Sequence, residues 1–292
     1  MKQGVIYALL AASLFGASTP FAKVFLSHVS PLLLAGLFYF GSGLGLCFLI
    51  LIRKFSAKTK SENNKILTKD IPWLIAATAC GGLIAPILLM FGISLVPSSS
   101  ASILLNLETI LTVLIAWFVF KENFDWRVIV GICLTISANI LMSLQESQFE
   151  GIPWGSILII LSCLCWALDN NFTRKISNND ALTISTIKGS AAGSLILILA
   201  VILGQKFPDL LMISQILIVG FFGYGLSLVL FVLALRNLGA AKTGAFFSIA
   251  PICGAALSLL VLQENPSLIF WIAAILMAIG IVILSYPEFQ SK

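Results

Sequence analysis

Ten long apolar runs follow one another along the chain, at residues 4–25, 31–52, 71–94, 98–120, 126–143, 153–172, 182–203, 213–235, 243–262 and 267–285. Each is close to the ~20 predominantly apolar residues that take a helix across a bilayer. The runs are continuous rather than alternating, so a membrane β-barrel does not fit them. Composition matters at one point: only 10% of the residues are charged, against about 25% in a soluble domain. That excludes a soluble enzyme, a nucleic-acid binder and a disordered chain. The expected fold is an all-α integral membrane protein with ten transmembrane helices, embedded in the lipid bilayer of the cell inner (cytoplasmic) membrane.

Direction across the membrane follows from Lys and Arg, which gather in cytoplasmic loops. With the N-terminus inside, the inner loops hold Lys2, Arg53, Lys54, Lys58, Lys60, Lys65, Lys69, Lys121, Arg127, Arg174, Lys175, Arg236, Lys242 and Lys292, and the outer loops only Lys23 and Lys206. So lopsided a distribution places both termini in the cytoplasm, and it reads the net charge of +5 as membrane topology rather than a nucleic-acid surface. The first run has small residues at Gly16-Ala17-Ser18, as a signal peptide would. Its length and its internal match, given next, favour a retained helix. The six cysteines all fall inside apolar runs, without C-x-x-C or His spacing, and read as small membrane hydrophobes rather than metal ligands.

The two halves resemble each other. A shift of 151 residues lays Gly4-Val-Ile-Tyr-Ala-Leu-Leu over Gly155-Ser-Ile-Leu-Ile-Ile-Leu, and pairs Phe15 with Trp166, Phe21 with Phe172 and Lys23 with Arg174. A shift of 142 pairs Lys121-Glu122-Asn123 with Gln263-Glu264-Asn265, and Thr109 with Pro251. Five spans per copy is an odd number, so the second copy must cross in the opposite sense. The charges agree: the basic loop 53–69 corresponds to 204–209, which keeps one lysine, and Lys121 corresponds to Gln263. Two five-helix repeats of inverted topology, 1–145 and 151–287, are therefore expected, an arrangement suited to alternating access around a midplane site.

Charges within spans are expensive, about 2.5–3.5 kcal/mol each at a helix centre, and so point to function. Glu108 falls near the middle of the fourth span. It is expected to line a substrate path, with a plain structural hydrogen bond, for instance to Thr112, as the competing reading. As a buried carboxylate it is also a candidate proton-coupling group. Lys188 lies about two turns into the seventh span, at the depth of Asp169 in the sixth. Either it snorkels to the interface, or it pairs with Asp169 as a gate or a staple. Pro251, with Gly81-Gly82 and Pro86, marks kink positions.

Two stretches carry a family resemblance. They are Ser99-Ser-Ala-Ser-Ile-Leu-Leu-Asn-Leu-Glu108-Thr109 with Ala116-Trp-Phe-Val-Phe-Lys-Glu122, and Gly239-Ala-Ala-Lys-Thr-Gly-Ala-Phe-Phe-Ser-Ile-Ala-Pro251 with Leu260-Val-Leu-Gln-Glu264. With Leu14-Phe15-Gly16 before Pro20, the chain resembles the EamA-type members of the drug/metabolite transporter superfamily over nearly its whole length. Where that family usually has a proline after the glutamate of span four, Thr109 stands here. The resemblance implies a central cavity and substrates such as amino acids and other small metabolites. On it, Phe15, Trp166, Tyr224, Phe247, Ser248 and Asn106 join Glu108 as candidate lining residues, with Asp169, Lys188 and Pro251 as candidate gating residues.

The expected activity is secondary transport of small metabolites, most simply amino acids exported outward, with a proton as a candidate coupling ion and no cofactor. Uptake of a nucleoside-derived or other charged metabolite, multidrug efflux and lipid flipping are the alternatives. An intramembrane enzyme lacks its residues: the lone histidine, His28, lies in a loop, and Asp169 is the only aspartate within a span. No ATP-binding motif is present. Oligomeric state is not legible.

Overall fold

The computed structural model describes residues 2–55, 66–95, 107–122, 126–144, 154–250, 253–254, 256–257 and 268–285, and among them there is helix and turn but no strand. α1 is Lys2–Leu26 and α2 is Pro31–Phe55, which opens on a proline where the missing N–H costs nothing. α3 follows a 3₁₀ turn at Thr68–Asp70 and runs as Ile71–Ala77, a π-helical turn Thr78–Ile84, and Ala85–Leu95. α4 is Leu107–Phe118, α5 Trp126–Leu144, α6 Trp154–Ile176 and α7 Ala181–Ile202. α8 begins as Leu210–Gly220, passes through a second π-helical turn at Phe221–Leu226, and continues as Ser227–Phe247. α9 is Leu268–Ser285.

Among the described residues, six stretches are long and apolar enough to cross a membrane: Lys2–Leu26, Pro31–Phe55, Thr68–Leu89, Trp154–Ile176, Ala181–Ile202 and Leu210–Phe247. Leu107–Phe118, Ile129–Ala138 and Trp271–Gly280 are shorter apolar helices.

Small residues bring the helices together, as they must where water supplies no hydrophobic drive between spans. α2 lies along α7, α1 along α8, α5 along α9, and α6 against both α3 and α4. At the α2–α7 crossing, a Cβ on Gly43 would stand 2.6 Å from the backbone nitrogen of Ser190, and one on Gly193 would overlap the Phe40 backbone. α2 approaches α8 in the same manner at Gly41 and Gly220.

The sequence places the break between the eighth and ninth runs at 236–242; the helix continues to Gly239, whose φ of 82° and ψ of 173° interrupt it. Lys242, expected in a loop, lies in the helical stretch beyond. The exposed N–H groups of that stretch are taken up by another helix pair's end: Glu122, just past α4, accepts from Ala240 N at 3.0 Å and Ala241 N at 3.2 Å. A carboxylate at a helix start is doubly favoured, by the free donors and by the dipole. Only a glycine fits at 239, because φ is left-handed there and a Cβ would collide with Glu122.

Candidate functional site

α6 presents an unusually polar face. Trp166, Asp169, Asn170 and Thr173 recur at the i, i+3, i+4, i+7 spacing that stacks side chains on one side of a helix. α6 packs on α3 and α4, and this face reaches α7 as well.

Toward α3 it meets the first π turn. The Gly81 carbonyl accepts from Trp166 Nε1 at 3.0 Å and from the Tyr39 hydroxyl of α2 at 3.3 Å. A π turn widens the helix and loosens its carbonyl ladder, which is how such turns come to carry outside partners. Gly81 also lets Asp169 approach: a Cβ there would overlap the carboxyl group.

Toward α4, Asn170 Nδ2 donates to Glu108 Oε1 at 3.0 Å and to Thr112 Oγ1 at 3.2 Å. Asn171 Nδ2 donates to the Thr112 carbonyl at 3.1 Å and back to Ala167 O at 2.9 Å. Glu108 and Thr112 are thus joined through Asn170. Among the described residues no cation pairs with Glu108.

Toward α7, the Lys188 ammonium donates to Asp169 Oδ1 and, at 3.0 Å, to Thr173 Oγ1, while the Thr173 hydroxyl itself donates to Asp169 Oδ1 at 2.8 Å. The side chains of Lys188 and Asp169 are 4% and 11% exposed, so the lysine does not snorkel. The two charges cancel within the bundle, and Thr173 completes their hydrogen bonding.

An aromatic cluster adjoins this polar one. Phe15 of α1 has its ring centroid 5.4 Å from Tyr224 and 5.4 Å from Phe247, and Phe38 stacks on Tyr224 at 5.0 Å. Tyr39 joins the two clusters, with its ring 5.4 Å from Tyr224 and its hydroxyl on Gly81. Phe15, Tyr39, Trp166, Tyr224, Phe247 and Glu108 all keep some accessible surface although each is held by neighbouring helices.

Of the candidate residues, then, Glu108, Trp166, Asp169 and Lys188 belong to the polar cluster, and Phe15, Tyr224 and Phe247 to the aromatic one. Ser248 is buried, and its hydroxyl donates to Ala245 O at 2.7 Å. Asn106 and Pro251 lie outside the described residues. The sequence reading assigns no role to Tyr39, Asn170, Asn171 or Thr173. The signal was present in α6: four non-aliphatic residues at helical spacing within an otherwise apolar run. Among the described residues no three of His, Cys, Asp and Glu come close enough together to hold a metal ion.

Comparisons with known proteins agree in kind. The family model described as the EamA-like transporter family matches the chain twice, over residues 2–144 and 153–286. An uncharacterized transporter of Methanothermobacter thermautotrophicus is 29% identical, over 96% of this chain and 85% of its own length. The uncharacterized inner membrane transporter YedA of Escherichia coli K12 is 26% identical, over 98% of this chain and 92% of its own. A solved crystal structure superposes with a TM-score of 0.82 at 15% identity, covering 98% of this chain and 97% of the other, which speaks to the fold alone.

Proposed function

The chain belongs to the EamA-like transporter family, and on that premise we propose that it is a secondary transporter moving small metabolites, amino acids or close relatives, outward across the cytoplasmic membrane by alternating access. It is a multi-pass membrane protein, like its inner membrane relative. The observation that carries the proposal is the polar cluster of Glu108, Asn170 and Asp169–Lys188 set inside apolar helices beside the Phe15–Tyr224–Phe247 aromatic wall. A few convergent polar groups on an aromatic lining suit a small amphipathic or zwitterionic solute.

In this reading residues 1–145 and 151–287 are two inverted repeats of five spans, and both termini are cytoplasmic. Three features support it. The family model matches once in each half. Each half has a π turn, Thr78–Ile84 and Phe221–Leu226. Around those turns the contacts correspond: Gly81 packs on Asp169 and Gly223 on Ser18, and the shifts of 142 and 151 residues take the second pair onto the first.

The chemistry at those equivalent places differs. Ser18 stands for Asp169, and Phe38 for Lys188, each the eighth residue of its helix. One gate, toward the cytoplasm, is therefore closed by an ion pair and the other by aromatic stacking of Phe38 on Tyr224. Glu108, held by an amide and matched by no cation among the described residues, takes the coupling proton.

The test is efflux from proteoliposomes loaded with labelled amino acids in turn. Wild-type protein is expected to give saturable efflux of at least one of them that responds to an imposed pH gradient. Glu108→Gln, which keeps the Asn170 contact, is expected to abolish the pH response. Efflux by the variant with the wild-type pH response would remove Glu108 from coupling.

A further inference from the structure

Where α4 and α6 end, Phe120, Glu122, Asn171, Arg174 and Lys175 line a half-open cavity of about 250 Å³. Asn171, Arg174 and Lys175 share one face of the last turns of α6 by their i, i+3, i+4 spacing. The cavity is separate from the aromatic cluster.

Its charges are not balanced from within. Glu122 is occupied by the N–H groups of Ala240 and Ala241. Arg174 donates through a terminal nitrogen to Ser177 Oγ at 3.3 Å, but its buried Nε has no hydrogen-bond partner and stands 3.6 Å from Glu122 Oε1. A buried guanidinium N–H without a full hydrogen bond is costly, and the ion pair with Glu122 offsets part of that cost. Lys175 is held over the Phe120 ring at 4.9 Å, and among the described residues no carboxylate pairs with it. Arg174 is ion-paired with Glu122, the one carboxylate on the lining, so Lys175, oriented by the ring, leaves the space with a net positive charge.

We propose that this cavity is a docking site for the carboxylate of a small metabolite, and the cytoplasmic-side station from which a substrate reaches Glu108. Lys175, set over the Phe120 ring, supplies the charge that meets the carboxylate, and the neighbouring Arg174 guanidinium adds to the positive field. The volume falls below the roughly 300–1,000 Å³ of pockets for drug-sized ligands, which selects small solutes. The way inward is marked by side chains already described. Asn171 borders the cavity and bonds the Thr112 carbonyl; the Thr112 hydroxyl accepts from Asn170, which holds Glu108. The station's role in transport rests on the proposed function; the binding itself does not.

The experiment uses the full chain in nanodiscs of phosphatidylcholine, with trifluoroacetate as a bare carboxylate probe followed by fluorine NMR line broadening. Wild-type protein is expected to broaden the line saturably. Lys175→Gln, whose side chain is exposed and whose loss spares the fold, is expected to weaken binding about tenfold, the loss of one charge-assisted contact. Arg174→Gln is expected to do the same, and Lys69→Gln, an exposed cation outside the cavity lining, to leave probe binding unchanged. No saturable broadening by the wild type, or equal broadening by all variants, would overturn the proposal. So would loss of the signal on adding phosphatidylglycerol at constant salt, which would assign the cations to a lipid phosphate. Intact probe binding in a protein that moves no amino acid would count against the transport reading and leave the site standing.

Discussion

At the scale of single residues, the buried Asp169–Lys188 pair has the largest consequence. Taking two charges out of water is repaid only when they stay matched, and removing one partner costs about 3–5 kcal/mol. Lys188→Met is therefore expected to lower the thermal midpoint in detergent sharply. The double change Asp169→Ser with Lys188→Phe installs the residues found at Ser18 and Phe38, and is expected to recover most of that loss. A double variant as unstable as the single one would show that an unmatched charge is not what the single variant suffers from. The pair was half legible beforehand: the matching depth of the two residues in neighbouring spans suggested it, and snorkelling remained open because sequence does not tell which face of α7 turns inward. Tyr39 gave no such hint, since an aromatic in an apolar helix reads the same whether it faces lipid or neighbour.

At the scale of elements, the starts and breaks of helices explain how the polar residues are held in place. Asp180 caps α7, its carboxylate accepting from Thr183 N at 3.1 Å, and it pairs with Arg53 at the end of α2 at 2.8 Å. Burial opposes its charged form, but the bonds from Arg53 and Thr183 outweigh burial and hold the carboxyl below the usual carboxylate range. A depressed value means that the stabilisation is complete above the ordinary carboxylate pKa of about 3.9 and is lost as pH falls through the lower folded-state value. Asp180→Ala is expected to cost about 1 kcal/mol at neutral pH, in thermal unfolding, with the gap to wild type closing as the pH drops below that of an ordinary carboxylate. A gap that stays constant to low pH would exclude the charged cap.

The same scale shows where sequence reading runs out. Gly81-Gly82 and Pro86 flagged an irregular α3, and a π turn is there. Gly220, Gly223 and Gly225 permit close packing of α8, and a π turn accompanies it. A glycine permits both and dictates neither. Gly239 is a different case: the polar residues Arg236, Asn237 and Lys242 mark a break at 236–242, but hydropathy does not tell that the helix runs on to Gly239 and resumes directly after its positive φ.

At the scale of the whole molecule, apolar run lengths led to a membrane-embedded helical chain, and the two internal alignments to a repeat, because both depend on composition and spacing alone. The polar network depends on which helix faces which, and only coordinates supply that. In the proposed function, solute passes between the two proposed repeats through a site open to one side at a time. The most direct test of this reading replaces the six native cysteines and installs Phe247→Cys on the aromatic wall. The variant is labelled with a membrane-impermeant maleimide in right-side-out and in inside-out vesicles. Alternating access predicts labelling from both sides, with a transported amino acid changing the two rates in opposite directions. Labelling from one side only, unmoved by any solute that the protein carries, would contradict it.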